Sequence, residues 1–176
     1  LGQLNQPHGL CLSPDEEWMA ITDINNHRVL LVKLDGSVSL RVIGSRGDGN
    51  LEFQTPGAVA FTPDGEAIVI ADFILSRVTV VSKDGVFLRR IECGGYAKGI
   101  AVDGDGNILV SVVATVKRVK VFSPDGKLLQ DCLGKQTFGG FGSAGLAVDP
   151  ASGLIAVSEA FSTSEAVRLI GGAAEF

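Results

Sequence analysis

The sequence predicts an all-β protein assembled from four similar antiparallel units, and three observations lead to this prediction. The first is internal repetition, since a Pro, a Pro-Asp, an Asp, an Arg-Val and an Asp-Gly recur at matching positions in 7–36 and 56–85. The second is that apolar residues alternate within each unit, which is typical of strands, and no helical period competes with this pattern. The third is that Pro, Asp and Gly separate the alternating segments, as hairpin turns require.

Two weaker copies of the same frame follow, around 99–126 and 145–171. A period of this length indicates supersecondary units that bury their faces against one another. We therefore expect a single domain or fragment over 1–176, with units at about 7–55, 56–95, 96–142 and 143–176, the last stopping after its third strand. The residues that mark equivalent places in the four units are Arg28, Arg77, Arg118 and, less closely, Arg168.

Each complete unit is predicted to contain four strands of different character. The first is short and apolar, and the third alternates. The second strands are nearly all apolar, as strands buried on both faces are, and they are predicted at 18–22, 67–71, 108–112 and 154–158. The fourth strands, at 37–43, 86–92 and 127–133, are the most polar and suit an exposed edge. Four antiparallel strands in this order describe a blade of a β-propeller.

Composition narrows the classes of partner. The chain has 176 residues, of which 45% are hydrophobic, and a net charge of −5. No apolar run reaches the roughly 18 residues that a membrane span needs, so we expect no membrane partner. The negative balance argues against a general binder of polyanions, because phosphate contacts need clustered Lys and Arg.

The three cysteines, Cys11, Cys93 and Cys132, cannot all pair within the chain because their number is odd. Cys11 lies in an alternating apolar run and is interpreted as a small core residue. Reduced thiols are typical of intracellular proteins, so we expect a cytoplasmic or nuclear location.

Unit one carries the fullest form of the frame, with Pro7, Gly9, Asp23, Asn26, Arg28 and Val29 followed by Asp35-Gly36. This frame resembles the NHL repeat, and the resemblance covers essentially the whole chain. Unit two has Leu75 in place of the Asn, unit three has Val113 in place of the Asp, and unit four has Glu159 near that place.

The resemblance implies a propeller that closes with six blades and a module without catalysis that recognises a protein. We therefore expect the chain to be part of a longer propeller or to need further blades from the same or another chain, with a four-bladed ring as the alternative. The resemblance also implies that ligands bind near the mouth of the central channel. The candidates on that face are His8, Asp23, Asn25, Asn26, His27, Asp72, Lys98, Lys117 and Glu159.

Several of these residues have simpler interpretations. Asp23 with Arg28, and Asp72 with Arg77, are predicted to form structural ion pairs across one hairpin. His8 and His27 are too few for most zinc sites, so we expect neither a metal nor a cofactor, and no catalytic residue. A metal-dependent lactonase or lyase is kept as the least favoured alternative.

RNA binding on the same face is the second alternative. It is favoured by the basic residues Lys117, Arg118 and Lys120 beside Arg89, Arg90 and Lys98. Only Tyr96 and few other aromatic residues accompany them, although stacking on aromatic side chains is the usual contact with single-stranded bases. A protein partner is therefore the favoured prediction.

Overall fold

The described part of the chain consists almost wholly of β-strands. In this computed structural model the described backbone covers residues 3–35, 37, 39–114, 117–133, 145–149, 152–159 and 166–170, and the side chains of 117, 132, 133, 159 and 166–170 are outside the description. The exception among the described elements is one turn of 3-10 helix at Ile24–Asn26. The same residues include no helix long and apolar enough to cross a membrane.

The first sheet contains four antiparallel strands whose spatial order follows the chain. The strands are β1 (Pro7–Leu12), β2 (Trp18–Asp23), β3 (Arg28–Lys33) and β4 (Leu40–Ile43). The turn between β1 and β2 is closed by Ser13, whose hydroxyl accepts a hydrogen bond from the amide of Trp18 at 2.9 Å. The turn residues Ser13, Pro14 and Asp15 therefore fix the position at which the chain reverses between β1 and β2.

The later sheets repeat this arrangement. A crossing segment follows the first sheet and contains β5 (Ser45–Arg46) and β6 (Glu52–Phe53), which pair in parallel. The second sheet contains β7 (Pro56–Phe61), β8 (Ala67–Asp72), β9 (Arg77–Ser82) and β10 (Phe87–Glu92). The third contains β11 (Tyr96–Val102), β12 (Ile108–Val113), β13 (Lys117–Phe122) and β14 (Leu128–Leu133). The fourth has three described strands, β15 (Leu146–Val148), β16 (Ile155–Glu159) and β17 (Ala166–Ile170).

The sheets stack on one another as blades, with their first strands side by side. Strand β1 contacts β7, β7 contacts β11, and β11 contacts β15. A cluster of buried apolar side chains fills each of the three seams between neighbouring blades. The second strands are central in their sheets, and β8 is buried along its whole length. The predicted fold class, four-stranded antiparallel blades of a β-propeller, is confirmed.

The crossing between blades one and two is fixed by Phe53, which is fully buried in the seam. Its ring lies so close to Gly44 that a Cβ there would be 2.4 Å from the ring carbons. Gly44 also has a φ of +93°, a conformation that L side chains rarely adopt. Because Gly44, directly after β4, has no side chain, the ring of Phe53 can pack into the apolar cluster between blades one and two.

The strand ladders test the predicted equivalences between units. Arg28 pairs with Asp23, Arg77 with Asp72, and Arg118 with Val112. These three arginines occupy the same place in successive blades, as predicted. In unit three the residue at the Asp position is thus Val112, one place before the predicted Val113.

The predicted equivalence of Arg168 is wrong. In the fourth sheet Ala166 pairs with Glu159, and Arg168 pairs with Val157. Glu159 itself occupies the Asp position, because Val157 pairs with Leu146 as Ile21 pairs with Leu10. The reason is length, since β16 ends at Glu159 and β17 begins only at Ala166, whereas β2 ends at Asp23 and β3 begins at Arg28.

Candidate functional site

One end of the blades carries the segments that enter the first strands and the loops that join the second and third strands. We call this end the loop face. The predicted binding residues lie on or just beneath it. Lys117 begins β13 and Glu159 ends β16, and the side chains of both are outside the described part of the chain.

Asp23 is fully buried beneath the loop face and holds three separate segments together. Its carboxylate accepts hydrogen bonds from the amide of Asn5 at 2.7 Å, from Nδ2 of Asn26 at 2.8 Å and from Nε of Arg28 at 2.8 Å. Burial opposes ionisation, but the hydrogen bonds from Asn26, Asn5 and Arg28 outweigh it, so the pKa of Asp23 is lowered. The predicted ion pair with Arg28 is confirmed.

Asp72 occupies the same place in blade two and binds backbone amides instead. Its carboxylate accepts hydrogen bonds from the amides of Gln54, Thr55 and Leu75, at 2.7, 3.1 and 3.1 Å. Gln54 and Thr55 lead into β7, just as Asn5 leads towards β1. The recurring Asp therefore fixes the entry of the first strand in blades one and two, and the backbone amides satisfy its buried carboxylate.

Arg77 lies beside Asp72 in the ladder but donates its hydrogen bonds to the crossing segment. Its guanidinium group reaches the carbonyl oxygens of Asp48 at 2.7 Å, of Gly49 at 2.6 Å and of Glu52 at 2.8 Å. Burial lowers the pKa of Arg77, and nearby Arg90 acts in the same direction. The predicted Asp72–Arg77 ion pair is wrong, because backbone amides bind the carboxylate of Asp72 and backbone carbonyl oxygens bind Nη1 and Nη2 of Arg77.

The third arginine, Arg118, lies opposite Val112 on the second strand, where blades one and two have an Asp. Its Nη1 instead forms a half-exposed ion pair with Asp131 of β14, at 2.9 Å. The Nζ of Lys120 donates to the carbonyl of Cys93 at 2.8 Å, and Arg90 pairs with Glu92 at 3.0 Å. Much of the predicted basic cluster is thus engaged within the protein.

The two histidines tie blade one to blade two. Nδ1 of His8 lies 3.1 Å from the carbonyl of Gly57, and Nδ1 of His27 lies 2.8 Å from the carbonyl of Gln54. A carbonyl oxygen only accepts, so Nδ1 carries the proton in both rings. Throughout the described ranges no group of three or more His, Cys, Asp or Glu side chains converges as a metal site would require.

The two asparagines hold the segment that precedes β1. Nδ2 of Asn25 donates to Oδ1 of Asn5 at 3.2 Å, and Nδ2 of Asn26 donates to the carbonyl of Gln3 at 3.0 Å. Asn25 is exposed and Asn26 is half-buried. These amides order the loop face around blade one, and Asn25 remains accessible to a partner.

The thiols of Cys11 and Cys93 are not suited to nucleophilic chemistry. Burial raises the pKa of each to about 12, and a thiol rather than a thiolate is a poor nucleophile. Cys11 packs against the core between blades one and two, as predicted, and Cys93 is fully buried in the next core.

A cluster that the sequence did not predict lies at the seam of blades two and three on the loop face. The rings of Phe73 and Tyr96 stack with centroids 4.7 Å apart and planes 19° apart. Nζ of Lys98 lies 5.9 Å from the centroid of the Phe73 ring. Ile74 and Tyr96 are exposed. We call Phe73, Ile74, Tyr96 and Lys98 the aromatic patch.

Local backbone geometry presents this patch. Phe73 and Ile74 follow the buried Asp72, so the loop begins from a fixed point. The ladder between β11 and β12 shifts between Ala97 and Gly99, which leaves Lys98 at an irregularity that re-aims its side chain. The sequence feature that could have revealed this patch is the pair Phe73 and Ile74, two large apolar residues in a loop where polar residues are usual.

A groove of about 440 Å³ opens between blades two and three at the opposite end. Its wall includes Leu88, Arg89 and Asp64. The carboxylate of Asp64 accepts hydrogen bonds within its own turn, from the hydroxyl of Thr62 at 2.5 Å and the amide of Glu66 at 3.0 Å. That carboxylate is therefore already used by the turn, and the loop face is the better candidate site.

Comparisons with solved structures agree with this architecture. A chain of hydrazine synthase from Kuenenia stuttgartiensis is similar over 97% of this chain and 47% of its own, with a TM-score of 0.78 and 18% identity. A chain of a nidogen/laminin complex is similar over 89% and 57%, with a TM-score of 0.70 and 20% identity. A putative 6-phosphogluconolactonase from Bacteroides uniformis is similar over 94% and 55%, with a TM-score of 0.59 and 18% identity.

These similarities and the sheet topology define the class of the protein as all-β, with blades that form part of a β-propeller. The chain spans about half the length of each of these three structures. No family model and no curated protein matches the sequence. At such identities the similarity concerns the fold alone.

Proposed function

We propose that this chain is a non-enzymatic propeller module of the NHL type that binds a protein partner through the aromatic patch on its loop face. The observation that carries this proposal is the exposed pair Ile74 and Tyr96, with Tyr96 stacked on Phe73. Aromatic anchors beside an aliphatic side chain are the usual centre of a protein interface.

The surroundings of the patch favour binding over catalysis. The stack limits the motion of Tyr96, so less conformational entropy is lost when a partner covers it. Lys98 adds a positive charge at one edge, and a carboxylate of the partner would pair with it. A partner segment with an apolar anchor and an acidic neighbour therefore fits the patch.

Two further observations support a protein partner. Arg118, Lys120 and Arg90 are engaged within the protein, and the net charge is −5, which is unfavourable for contact with phosphates. The similar nidogen chain comes from a protein–protein complex with laminin. That precedent supports protein binding by a propeller of this shape.

The proposal is tested with three variants of the chain immobilised on beads and exposed to extract from the source cells. Tyr96→Ala and Ile74→Asp change the aromatic patch. The control is Val86→Asp, which alters another exposed apolar residue, in the turn between β9 and β10 at the opposite end. We expect proteins retained by the original chain and by Val86→Asp to be lost with both patch variants.

The same experiment separates the alternative of RNA. Nuclease treatment and a salt series are applied to each bead sample, because binding to phosphates weakens steeply with salt. Retention that disappears with nuclease would replace the protein partner with RNA. Retention that is identical for the patch variants and the control would refute the loop face as the binding surface.

A further inference from the structure

The groove between blades two and three lies where blade one carries an aromatic ring and blade two does not. Trp18 begins β2 and Ala67 begins β8, and the ladders to the third strands place them at equivalent positions. Trp18 packs against the core between blades one and two, whereas Ala67 lies in the core between blades two and three and lines the groove. The replacement of a large ring by a methyl group therefore leaves space in the second seam.

In the first seam the ring of Trp18 lies beneath a guanidinium group. Cζ of Arg41 is 4.9 Å from the centroid of the Trp18 ring, which is a cation–π contact. Nη1 of Arg41 also donates to the carbonyl of Lys83 at 2.6 Å and pairs with the carboxylate of Asp84 at 3.0 Å. A ring, a backbone carbonyl and a carboxylate thus surround this guanidinium group.

Arg89 holds the same position in blade two as Arg41 holds in blade one. Arg41 pairs with Leu31 and Arg89 pairs with Val80, which are equivalent residues of the third strands. Arg89 lines the groove, and its Nε is buried and has no hydrogen-bond partner in the described part of the chain. A buried donor without an acceptor is unfavourable. The space beside Ala67 is therefore next to a guanidinium group that needs a partner.

The turn of blade three leaves Nε of Arg89 without an acceptor. A Cβ on Gly126 would lie 4.0 Å from Cδ of Arg89, so the side chain reaches this turn. Asp125 is the equivalent of Asp84, but its carboxylate accepts a hydrogen bond from the hydroxyl of Ser123. That hydrogen bond is the main reason that the pKa of Asp125 is lowered, and the charge of Arg89 contributes less.

The other charges of the groove limit what the acceptor can be. Asp64, Glu66 and Asp105 also line the groove. Glu66 pairs with Lys83 at 2.6 Å, which leaves the negative charge to Asp64 and Asp105. A ligand carboxylate would be repelled by these like charges. An uncharged backbone carbonyl avoids this repulsion, and it is the kind of acceptor that Arg41 already uses.

We propose that the groove binds a tryptophan residue of a partner polypeptide, whose indole ring lies beneath Arg89 and whose backbone carbonyl accepts a hydrogen bond from it. Blade one is the precedent, because a tryptophan ring and a backbone carbonyl contact Arg41 there. Ala67, Val80 and Ile108 give the groove an apolar wall, and its volume of about 440 Å³ is large enough for a ligand. The site is at the opposite end from the loop face and does not depend on what the aromatic patch binds.

The first test is an NMR titration of the isotope-labelled chain with the blocked tripeptide acetyl-Gly-Trp-Gly-amide. We expect saturable shifts of the amide signals of Gly104 and Gly106, which line the groove. The same peptide with Leu in place of Trp keeps the carbonyl groups but loses the cation–π contact, so it should bind about tenfold more weakly. Shifts confined to the loop face, or no saturable shift at all, would refute the site.

A pair of arginine variants tests the proposed contact. Arg89→Met removes the guanidinium group and keeps an apolar side chain. Arg90→Met is the matched control, because it removes the same charge from a neighbouring residue that pairs with Glu92 and does not line the groove. We expect the tripeptide to bind about tenfold more weakly to Arg89→Met, which loses a cation–π contact and a hydrogen bond, and unchanged to Arg90→Met. Equal affinities for both variants and the original chain would refute the role of Arg89.

Ala67→Trp tests the equivalence of the two seams. This variant supplies from within the chain the ring that blade one has, so it should fill the groove and abolish binding of the tripeptide. Circular dichroism verifies that the variant is folded. Undiminished binding to folded Ala67→Trp would contradict the proposal, and the result with Arg89→Met decides if the larger side chain prevents folding.

Indole and indolepropionate distinguish a partner polypeptide from a free aromatic compound. Indole has the ring without a carbonyl acceptor, and indolepropionate has the ring with a carboxylate. We expect both to bind more weakly than the tripeptide, because the first leaves Nε of Arg89 unpaired and the second meets the charges of Asp64 and Asp105. If either compound binds as tightly as the tripeptide, a free aromatic compound replaces the polypeptide as the ligand.

Discussion

The side-chain hydroxyl of Thr22 donates a hydrogen bond to the backbone carbonyl of Gly57 in the next blade, at 2.9 Å. The same hydroxyl accepts a hydrogen bond from the amide of Gly9 at 2.7 Å. Thr22 is fully buried, so no water replaces either bond. One hydroxyl group therefore joins the first strands of two neighbouring blades close to the loop face.

Half of this arrangement recurs in later blades. The hydroxyl of Ser111 accepts from the amide of Gly99 at 2.7 Å, and that of Ser158 accepts from the amide of Gly145 at 2.9 Å. Blade two is the exception, since Ala58 and Ala71 face each other there. A hydroxyl in the second strand is thus paired with a glycine in the first strand, and both are absent together.

Replacing Thr22 with Val tests this bond. The substitution keeps the shape of the side chain but leaves the amide of Gly9 without its acceptor, while the carbonyl of Gly57 keeps only its contact with His8. A buried group that loses its partner costs about 1–3 kcal/mol. We expect the free energy of unfolding, measured in urea, to fall by about that amount. Thr22→Ser retains the hydroxyl and should lose less, whereas equal losses for Val and Ser would contradict a role for the bond.

Replacing Gly9 with Ala tests how closely the first strands approach. A Cβ on Gly9 would lie 2.4 Å from the carbonyl oxygen of Gly57, and such overpacking costs about 1–3 kcal/mol. Gly57→Ala is the matched control, because its Cβ would meet its nearest atom, the carbonyl oxygen of Thr55, only at 4.0 Å. We expect thermal unfolding to shift clearly downward for Gly9→Ala and little for Gly57→Ala. The reverse order would refute the close contact.

Local patterns were sufficient to predict the order of the strands, the equivalence of Arg28, Arg77 and Arg118, and the Asp23–Arg28 pair. Each of these depends on a hairpin whose two sides are near in sequence. The blade assignment followed from the same alternation and turn residues.

The contacts that the sequence did not predict join segments from different units. Phe73 and Tyr96 come from blades two and three, and Thr22 reaches Gly57 across a seam. The partners of Arg77 were missed because the crossing at 45–53 brings its carbonyl groups together only when β5 and β6 pair. Predicting such contacts requires the relative positions of the blades, and the sequence pattern within one unit does not contain this information.

The equivalent arginines Arg77 and Arg118 should differ strongly in their contribution to stability. Arg77→Met would remove three hydrogen bonds to carbonyl groups of the crossing and leave those of Asp48 and Glu52 without the guanidinium donor, which we expect to cost on the order of 3 kcal/mol. Arg118→Met removes an ion pair whose side chains are 35% and 30% exposed, and such pairs contribute about 0–1 kcal/mol. Urea unfolding of both variants measures the difference. If both variants lose similar amounts of unfolding free energy, the hydrogen bonds from Arg77 to the carbonyl groups do not stabilise the fold more than the ion pair of Arg118 does.

Asp23 should make the stability of the fold sensitive to acid. Its pKa is lowered in the folded chain, whereas an unfolded Asp titrates near about 3.9. The charged form is thus favoured by folding, and this contribution is present above the unfolded pKa and is lost as the pH falls through the folded value. We expect Asp23→Asn to be less stable than the original chain near neutral pH and to lose less stability on acidification.

Urea unfolding at a series of pH values from neutral to strongly acidic measures this difference between the two chains. Asn26→Ala is the informative intermediate, because it removes one of the hydrogen bonds to the carboxylate and leaves those from Asn5 and Arg28 in place. Its folded pKa should lie closer to that of an unfolded Asp, so its acid loss begins at the same pH, ends at a higher pH and is smaller in total. Parallel curves for the original chain and Asp23→Asn would show that the carboxylate is not held in its charged form by these three donors.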